Sequence, residues 1–267
     1  MPVVRIETAA DPRLADYAVI SDGDRKRRQG LFVAEGRFVV RRLLEGRFAV
    51  RSALLTEAAL ADLERVLTPF LPSLPVFLVS KEEMHQITGF EFHQGCLALG
   101  ERPTHPTDLG ELLGGSRRLV VLEGVTHADN VGAVFRNAAA FACDAVVLDR
   151  ACADPLYREA IRVSMAATLQ TPFARAESWP ADLDRIRAAG FTIAALTPRR
   201  DAIRLRETPR IPRLALLAGN EGSGLSETAL ARADLAIRIP IAPTIDSLNV
   251  AAATAIALSV LAGDELD

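Results

Sequence analysis

The chain has 267 residues, of which 49% are hydrophobic and 24% charged, and its formal net charge is -3. This length and balance indicate one large or two ordinary globular domains and exclude a disordered or fibrous chain. No basic start precedes an apolar leader segment, and the longest apolar run, around Val250 to Ala262, is too short to span a bilayer. We therefore expect a soluble, cytoplasmic protein.

The N-terminal half alternates short strand-like runs with amphipathic helical stretches, which is the pattern of a small α/β unit. The predicted strands are Leu31 to Glu35, Val50 to Leu55, Val76 to Val79 and Cys96 to Leu99, and the predicted helices are Arg37 to Leu44 and Ala58 to Leu67. Residues 103–116 are rich in proline, threonine and glycine and are interpreted as a linker that contains a short helical turn. The sequence thus predicts a first domain over residues 1–102 and a second over residues 117–267.

The second domain opens with the continuous apolar run Leu119 to Leu122, which is typical of a strand buried on both faces of a parallel sheet. Similar runs follow at residues 145–148, 192–196, 214–218 and 236–239, and helical patterns separate them at residues 130–142, 156–167, 181–189 and 226–231. An alanine-rich helix, Leu248 to Leu261, ends the chain, and Asp246 or Ser247 is its predicted capping residue. This order predicts an α/β fold with a parallel sheet.

Basic residues cluster near the start of the chain in spite of the negative net charge. Between Arg25 and Arg51 there are nine arginines and lysines against only Glu35 and Glu45. Such a run fits a solvated helix surface as well as contact with RNA phosphates. The candidate RNA contacts are the four consecutive residues Arg25, Lys26, Arg27 and Arg28.

The three cysteines, Cys96, Cys143 and Cys152, lie in apolar surroundings and lack CxxC spacing. An odd number without this spacing argues against a disulfide framework and against a zinc site. We expect buried, inert thiols and no metal.

Three segments place polar or glycine residues at strand ends or helix starts, where parallel α/β folds bind ligands. They are Asn130 to Asn137, Gly219 to Ser226, and Ile239-Pro240 followed by Ser247 to Val250. A P-loop is excluded for the second segment because Leu225 stands where the lysine is required, and the dinucleotide fingerprint G-x-G-x-x-G also fails. Taken alone, this segment also fits an ordinary solvated turn.

Together the three segments resemble the motifs of the SpoU family, also called TrmH, of S-adenosylmethionine-dependent RNA methyltransferases in the SPOUT class. The first motif is Asn130-x-Gly132 with Arg136, the second is Gly219 to Gly222 with Gly224-Leu225, and the third is Ile239-Pro240 with Ser247 to Val250. In the first half, Gly30 to Gly36 and His93 to Gly95 look like the edges of the small domain of ribosomal-protein-like fold that precedes many catalytic domains of this family.

The resemblance implies a SPOUT catalytic domain with a C-terminal trefoil knot, preceded by a small α/β/α substrate-binding domain, and a homodimer. It implies methyl transfer from S-adenosylmethionine to a ribose 2'-hydroxyl, of ribosomal RNA rather than transfer RNA. The alternatives are a transfer RNA ribose methyltransferase, an enzyme that methylates a base, and a non-catalytic RNA-binding or ribosome-assembly factor of the same fold.

The resemblance also assigns roles to single residues. Arg136 serves as a cation that binds a phosphate and stabilises the forming alkoxide, because arginine stays protonated in proteins. Asn130 positions Arg136 or the substrate, and Glu221 orients Arg136 or Asn130. The expected catalytic residues are Asn130, Arg136, Glu221, Ser247 and Asn249, and the backbone groups expected to bind the cofactor belong to Thr197, Gly219, Ile239 and Leu248. His127, close to Asn130, is interpreted as part of the loop structure and not as a general base.

Overall fold

The computed structural model describes residues 3–17, 20, 22–89, 94–105 and 107–262, so His93 of the predicted domain edge lies outside the described residues. The chain divides into two compact units. The first consists of Met1–His105 together with Leu156–Gln170, and the second of Pro106–Pro155 together with Thr171–Asp267.

The first unit contains a mixed five-stranded sheet. Its strands are β1 (Val4–Arg5), β2 (Leu31–Glu35), β3 (Val50–Leu55), β4 (Val76–Leu78) and β5 (Cys96–Glu101), in the order β1-β4-β3-β5-β2. Its helices are α1 (Gly23–Arg28), α2 (Arg37–Leu44), α3 (Glu57–Leu67), α4 (Lys81–Thr88), α7 (Arg158–Val163) and α8 (Ala167–Gln170), with a 3-10 turn at Pro12–Tyr17. β5 runs antiparallel to β2 and β3, whereas β4 is parallel to β1 and β3. The predicted α/β character of this half is confirmed.

The second unit is built on a seven-stranded parallel sheet. Its strands are β6 (Arg118–Glu123), β7 (Ala145–Leu148), β8 (Phe173–Arg175), β9 (Thr192–Leu196), β10 (Ile203–Arg204), β11 (Leu214–Gly219) and β12 (Leu235–Arg238). They are arranged in the order β10-β12-β9-β11-β6-β7-β8, and every pair of neighbours is parallel. The predicted parallel sheet is confirmed, and its central strands β6 and β11 are buried along almost their whole length, as continuous apolar runs require.

Five helices belong to this second unit. They are α5 (Leu109–Gly114), α6 (Ala128–Ala140), α9 (Asp182–Ala188), α10 (Glu227–Leu230) and α11 (Val250–Leu261), with a 3-10 turn at Leu205–Glu207, among the described residues. The last of them, α11, packs on α6 and on β11.

Part of the predicted linker belongs to the second unit. Within residues 103–116, α5 buries Leu109, Leu112 and Leu113 in the core of that unit. Asp108 caps this helix by accepting the backbone N–H groups of Gly110 and Glu111. The leucines at this spacing form an apolar helix face, which the proline and glycine content of the stretch obscures in the sequence.

Two predicted helices differ from the observed ones. The helix expected over residues 156–167 is broken into α7 and α8, because Met165 and Ala166 have φ angles of 52° and 65°. These positive angles cannot continue a right-handed helix. The final helix begins at Val250, and its cap is Asn249 instead of Asp246 or Ser247.

The three cysteines are buried and free, which confirms the predicted burial. Burial raises the pKa of the Cys96 and Cys143 thiols to about 12, and it raises the pKa of Cys152 as well. Within the described part of the chain, no helix combines the length and apolar character needed to cross a membrane.

Candidate active site

A cavity of about 370 Å³ lies in the second unit, at the carboxyl ends of β9, β11 and β12. This volume falls within the range of roughly 300–1,000 Å³ that is usual for small-molecule sites. Three stretches line it: residues 196–199, residues 218–225 with Glu227 and Leu230, and residues of a C-terminal stretch between 239 and 253. The residues expected to bind the cofactor all belong to the lining: Thr197, Gly219, Ile239 and Leu248.

The turn that follows β11, residues 219–226, is held in a compact shape by its own backbone. The carbonyl of Asn220 accepts the N–H of Gly224 at 2.9 Å, and the Asn220 side-chain oxygen accepts the N–H groups of Gly222 and Ser223 at 2.7 and 3.1 Å. A Cβ atom at Gly219 would lie 2.6 Å from the carbonyl carbon of Gly224. Glycine is therefore required where the two ends of this turn approach each other.

Three of the expected catalytic residues form one hydrogen-bond chain beside this cavity. The Nδ2 group of Asn130, in the first turn of α6, donates to Oε1 of Glu221, which also lines the cavity. Oδ1 of Asn130 accepts from Nδ2 of Asn249 at 3.0 Å. Oδ1 of Asn249 in turn accepts the N–H groups of Ala251 and Ala252 at 2.9 and 3.3 Å, which caps α11. Of the two partners predicted for Glu221, the structure therefore pairs it with Asn130.

Arg136 does not take part in this hydrogen-bond chain. It is exposed on α6 and has neither a hydrogen bond nor an ion pair with any other described residue. Six residues of α-helix separate it from Asn130, which corresponds to roughly 9 Å along the axis and to a different helix face. Of the alternatives predicted for Asn130 and Glu221, a contact with Arg136 is not the one seen among the described residues, and the Arg136 guanidinium is free to meet a ligand.

Two further residues of this region were named from the sequence. Ser247 lines the cavity, is exposed, and its hydroxyl has no hydrogen-bond partner among the described residues. His127 stands at the start of α6, where its carbonyl accepts the N–H groups of Asn130 and Val131 at 3.1 Å. Its imidazole is exposed and does not cap the helix.

Sequence reasoning missed a buried carboxylate next to this cavity. Glu123 ends β6 directly opposite Gly219 of β11, and only 8% of it is exposed. It accepts hydrogen bonds from Trp179 and from Ser226 at the end of the 219–226 turn. The available signal was its place directly after the apolar run Leu119 to Leu122, the same pattern that marked the other strand ends.

The basic residues of α1 do not all face solvent. Arg25, Arg27 and Arg28 are exposed, but Lys26 is only 2% exposed, and its ammonium donates to the carbonyl of Asp16 at 2.6 Å. Burial lowers the pKa of Lys26. The expectation that Lys26 contacts RNA is therefore wrong, because a helix turns one of four consecutive residues inward.

Comparison with known proteins agrees with this geometry. Residues 117–259 match the model of the SpoU rRNA Methylase family. An uncharacterized tRNA/rRNA methyltransferase of Mycobacterium tuberculosis is 40% identical over 254 residues, which cover 92% of this chain and 87% of the relative. The 23S rRNA (guanosine(2553)-2'-O)-methyltransferase of Bacillus subtilis is 25% identical, with 97% and 99% of the two chains covered.

Among solved structures, an S-adenosylmethionine-bound rRNA methyltransferase of Sinorhizobium meliloti superposes with a TM-score of 0.84 at 24% identity, with 99% of each chain covered. At this identity the likeness establishes the fold alone. The family match covers the segments with Asn130, Glu221 and Asn249, whose side chains meet in the structure. The chain belongs to the SpoU family of RNA methyltransferases.

Proposed function

We propose that this protein transfers a methyl group from S-adenosylmethionine to a ribose 2'-hydroxyl of ribosomal RNA. The observation that carries the proposal is that Glu221 belongs to both parts of the site: it lines the cavity, and it accepts the hydrogen bond from Asn130. A bound cofactor and the catalytic side chains would therefore meet on one loop. The printed activity of the Bacillus subtilis relative, 2'-O-methylation of 23S rRNA, supports the choice of ribose and of ribosomal RNA.

S-adenosylmethionine fits the cavity by the chemistry of the lining. Leu196, Ile239, Ile241 and Leu248 offer apolar walls for an adenine ring, and the glycines of the 219–226 turn let the backbone approach a ligand closely. Backbone groups of Thr197, Gly219, Ile239 and Leu248 hold the adenosine portion. When bound, the cofactor would supply a methyl group on a positively charged sulfur. The bond from this sulfur to the methyl group would break as the bond from the ribose oxygen forms, leaving S-adenosylhomocysteine, and the hydroxyl proton would pass to solvent.

The chain of side chains organises the acceptor. Glu221 can only accept hydrogen bonds, so it fixes the Asn130 amide with its N–H side toward the carboxylate and its oxygen toward Asn249. In this way the Asn249–Asn130–Glu221 hydrogen-bond chain presents a rigid polar edge to the ribose. Arg136, whose guanidinium has no partner among the described residues, binds a neighbouring phosphate and stabilises the alkoxide as it forms.

We assign RNA capture to the first unit, in line with the substrate-binding domain expected over residues 1–102. The three exposed arginines of α1, Arg25, Arg27 and Arg28, supply positive charge for the phosphates. Replacing all three by glutamine should weaken RNA binding and flatten its dependence on salt, by roughly one unit of slope for each phosphate that is no longer bound. An unchanged salt slope would remove α1 from the RNA interface.

We propose a homodimer in which α11 forms part of the interface. Ile256 and Val260, one turn apart on this helix, are 41% and 42% exposed and form a small apolar surface. Val260→Arg should turn a dimer into a monomer in sedimentation experiments, whereas Ile203→Arg, at the exposed edge strand β10, should not. A wild-type protein that sediments as a monomer would refute the dimer.

We also propose that the second unit contains a trefoil knot. The close approach of the stretch after β12 to the 219–226 turn at the cavity, and the packing of α11 on α6 and β11, support it. In a single-molecule pulling experiment a knotted chain stays shorter than its full contour length of about 3.3–3.6 Å per residue. Extension to the full length would exclude the knot.

Incubation of the protein with methyl-labelled S-adenosylmethionine and purified ribosomal or transfer RNA tests the proposed reaction. We expect label in ribosomal RNA, within a dinucleotide that resists alkali because its 2'-hydroxyl is blocked. Label in transfer RNA alone would show that transfer RNA is the substrate. Label on a base would refute the ribose hydroxyl as the methyl acceptor. No transfer to either RNA would favour a non-catalytic RNA-binding factor.

Arg136→Ala and Arg136→Lys refine this experiment. Loss of the guanidinium should lower kcat by roughly a hundredfold or more, as removal of an oxyanion-stabilising group does. The cofactor Kd should stay unchanged because Arg136 does not line the cavity. A fully active alanine variant would remove the proposed role of Arg136.

A further inference from the structure

Two consecutive residues at the end of β6 hold the two ends of the 219–226 turn. The carbonyl of Gly124 accepts Nδ2 of Asn220 at 2.8 Å, near the start of the turn. The carboxylate of Glu123 accepts the backbone N–H of Ser226 at 2.8 Å and the Ser226 hydroxyl at 2.7 Å, at its end. The residues of the turn from Gly219 to Leu225 all line the cavity.

The carboxylate of Glu123 is surrounded by donors. Its Oε1 accepts the Trp179 indole N–H at 2.7 Å as well as the Ser226 hydroxyl, and its Oε2 accepts the Ser226 N–H. Trp179 itself packs against the core of the second unit. A nearly buried carboxylate is stable only when its oxygens are satisfied in this way, because removal from water is costly for a charge.

We infer that Glu123 is a positioning residue, which holds the 219–226 turn in the shape that binds the cofactor and fixes its end to the rigid core through Trp179. This inference rests on the proposed cofactor site. Glu123 does not line the cavity, so it acts through the backbone of the turn and not by touching the ligand. Glu123 is fixed on β6 and accepts a hydrogen bond from Trp179, so it orders the turn before any ligand binds. This lowers the entropic cost of ordering the turn when the ligand binds.

Glu123→Gln is the sharpest substitution because it keeps the shape of the side chain and removes its charge. A glutamine amide has one oxygen and one NH₂ group, so in either orientation an N–H faces a donor, Ser226 N–H on one side or Trp179 Nε1–H on the other. Asp149→Asn is the matched control. Asp149 is a buried acid directly after β7 that accepts the N–H of Cys152, with no hydrogen bond to the turn among the described residues.

The first measurement needs no ligand. Hydrogen–deuterium exchange of the full-length protein should show amide exchange in the 219–226 turn accelerated about tenfold or more in Glu123→Gln, and unchanged in Asp149→Asn. Exchange in this turn that matches wild type would overturn the inference. Should Glu123→Gln fail to fold, Trp179→Phe removes one donor and retains much of the ring packing, and an increase of a few fold in the same peptide is expected.

The second measurement is the Kd for S-adenosylhomocysteine by calorimetry. We expect Kd to rise about tenfold in Glu123→Gln and to stay at the wild-type value in Asp149→Asn. A thermally destabilised Glu123→Gln protein with wild-type Kd would reduce Glu123 to a structural role and overturn the inference. A wild-type protein that does not bind S-adenosylhomocysteine would instead refute the proposed cofactor, and the exchange experiment would then decide the role of Glu123 by itself.

Discussion

Two substitutions can reverse the order of donors and acceptors in the Asn249–Asn130–Glu221 hydrogen-bond chain. Asn249→Asp replaces the NH₂ group that donates to Asn130 with an oxygen, so two oxygens face each other where the wild-type distance is 3.0 Å. Turning the Asn130 amide over does not help, because its oxygen would then face the Glu221 carboxylate. Adding Glu221→Gln provides an NH₂ group that can donate to the oxygen of the turned Asn130 amide. The Asn130 NH₂ group can then donate to the new carboxylate at position 249, so that both hydrogen bonds run in the reverse direction.

The structure allows the effects on stability and on catalysis to be separated. Asn249→Asp keeps an oxygen for the N–H groups of Ala251 and Ala252, so the cap of α11 is preserved. Asn249→Ala loses the cap, at a cost of about 1 kcal/mol, which corresponds to a Tm lower by roughly 2–4 °C. We therefore expect Asn249→Asp to have a higher Tm than Asn249→Ala, because only the alanine variant loses the cap as well as the contact with Asn130.

The catalytic cost follows from the lost hydrogen bond. A hydrogen bond in a chain that ends on a carboxylate contributes about 1.5–3 kcal/mol, so kcat/KM of Asn249→Asp should fall roughly tenfold to a hundredfold. The assay is transfer of labelled methyl to the accepted RNA at subsaturating concentration. The double variant Asn249→Asp with Glu221→Gln should have a higher kcat/KM than Asn249→Asp alone, because the reversed order restores both hydrogen bonds of Asn130.

Additive losses in the double variant would refute this reasoning. They would mean that the negative charge at Glu221, and not the hydrogen-bond order, is what the reaction requires. A Tm of Asn249→Asp as low as that of Asn249→Ala would also contradict the assignment of two separate functions to the Asn249 side chain.

The packing supports three more predictions. Gly219→Ala should abolish S-adenosylhomocysteine binding in calorimetry, because the new Cβ would lie 2.6 Å from the Gly224 carbonyl carbon, and measurable affinity close to wild type would contradict this. Lys26→Met should lower the Tm and leave RNA affinity unchanged, as measured by thermal unfolding and by RNA titration. Arg27→Gln should leave the Tm unchanged and lower RNA affinity in the same two measurements. The three buried thiols have raised pKa values, so they stay protonated at pH 8 and should react with a disulfide reagent only after denaturation; fast reaction of the native protein would show that they are accessible.

Five of the seven strands of the second unit could be predicted closely from the sequence because apolar runs leave little choice, whereas the short strands β8 and β10 were missed. Leu119 to Leu122 and Leu214 to Ala218 are buried neighbours in the sheet, and parallel pairing brings the residues after them to one edge. The strands themselves needed only the polarity pattern. The cofactor contacts Thr197, Gly219, Ile239 and Leu248 came from the resemblance to the SpoU motifs, and all four line the cavity.

The errors have physical causes that the local sequence does not contain. Asp246, Ser247 and Asn249 are all good capping residues within four positions, and the local sequence does not show that Asn249, which also bonds the distant Asn130, is the one that caps the helix. The positive φ angles at Met165 and Ala166 cannot be predicted from the sequence, because residues other than glycine rarely adopt them. Lys26 is buried because its ammonium reaches the Asp16 carbonyl, an interaction that a charge count cannot reveal.

Asn249 both starts α11 and holds Asn130 in place. Fraying of the first turn of this helix therefore breaks the catalytic arrangement in the same step, so the helix end and the active site open as one cooperative unit. The stability of the first turn of α11 and the fraction of molecules with an ordered active site are then thermodynamically linked. A ligand or substitution that stabilises the folded or the frayed state of this turn changes the fraction of molecules that can react. Molecules with a frayed helix start contribute nothing to turnover, however well they bind RNA.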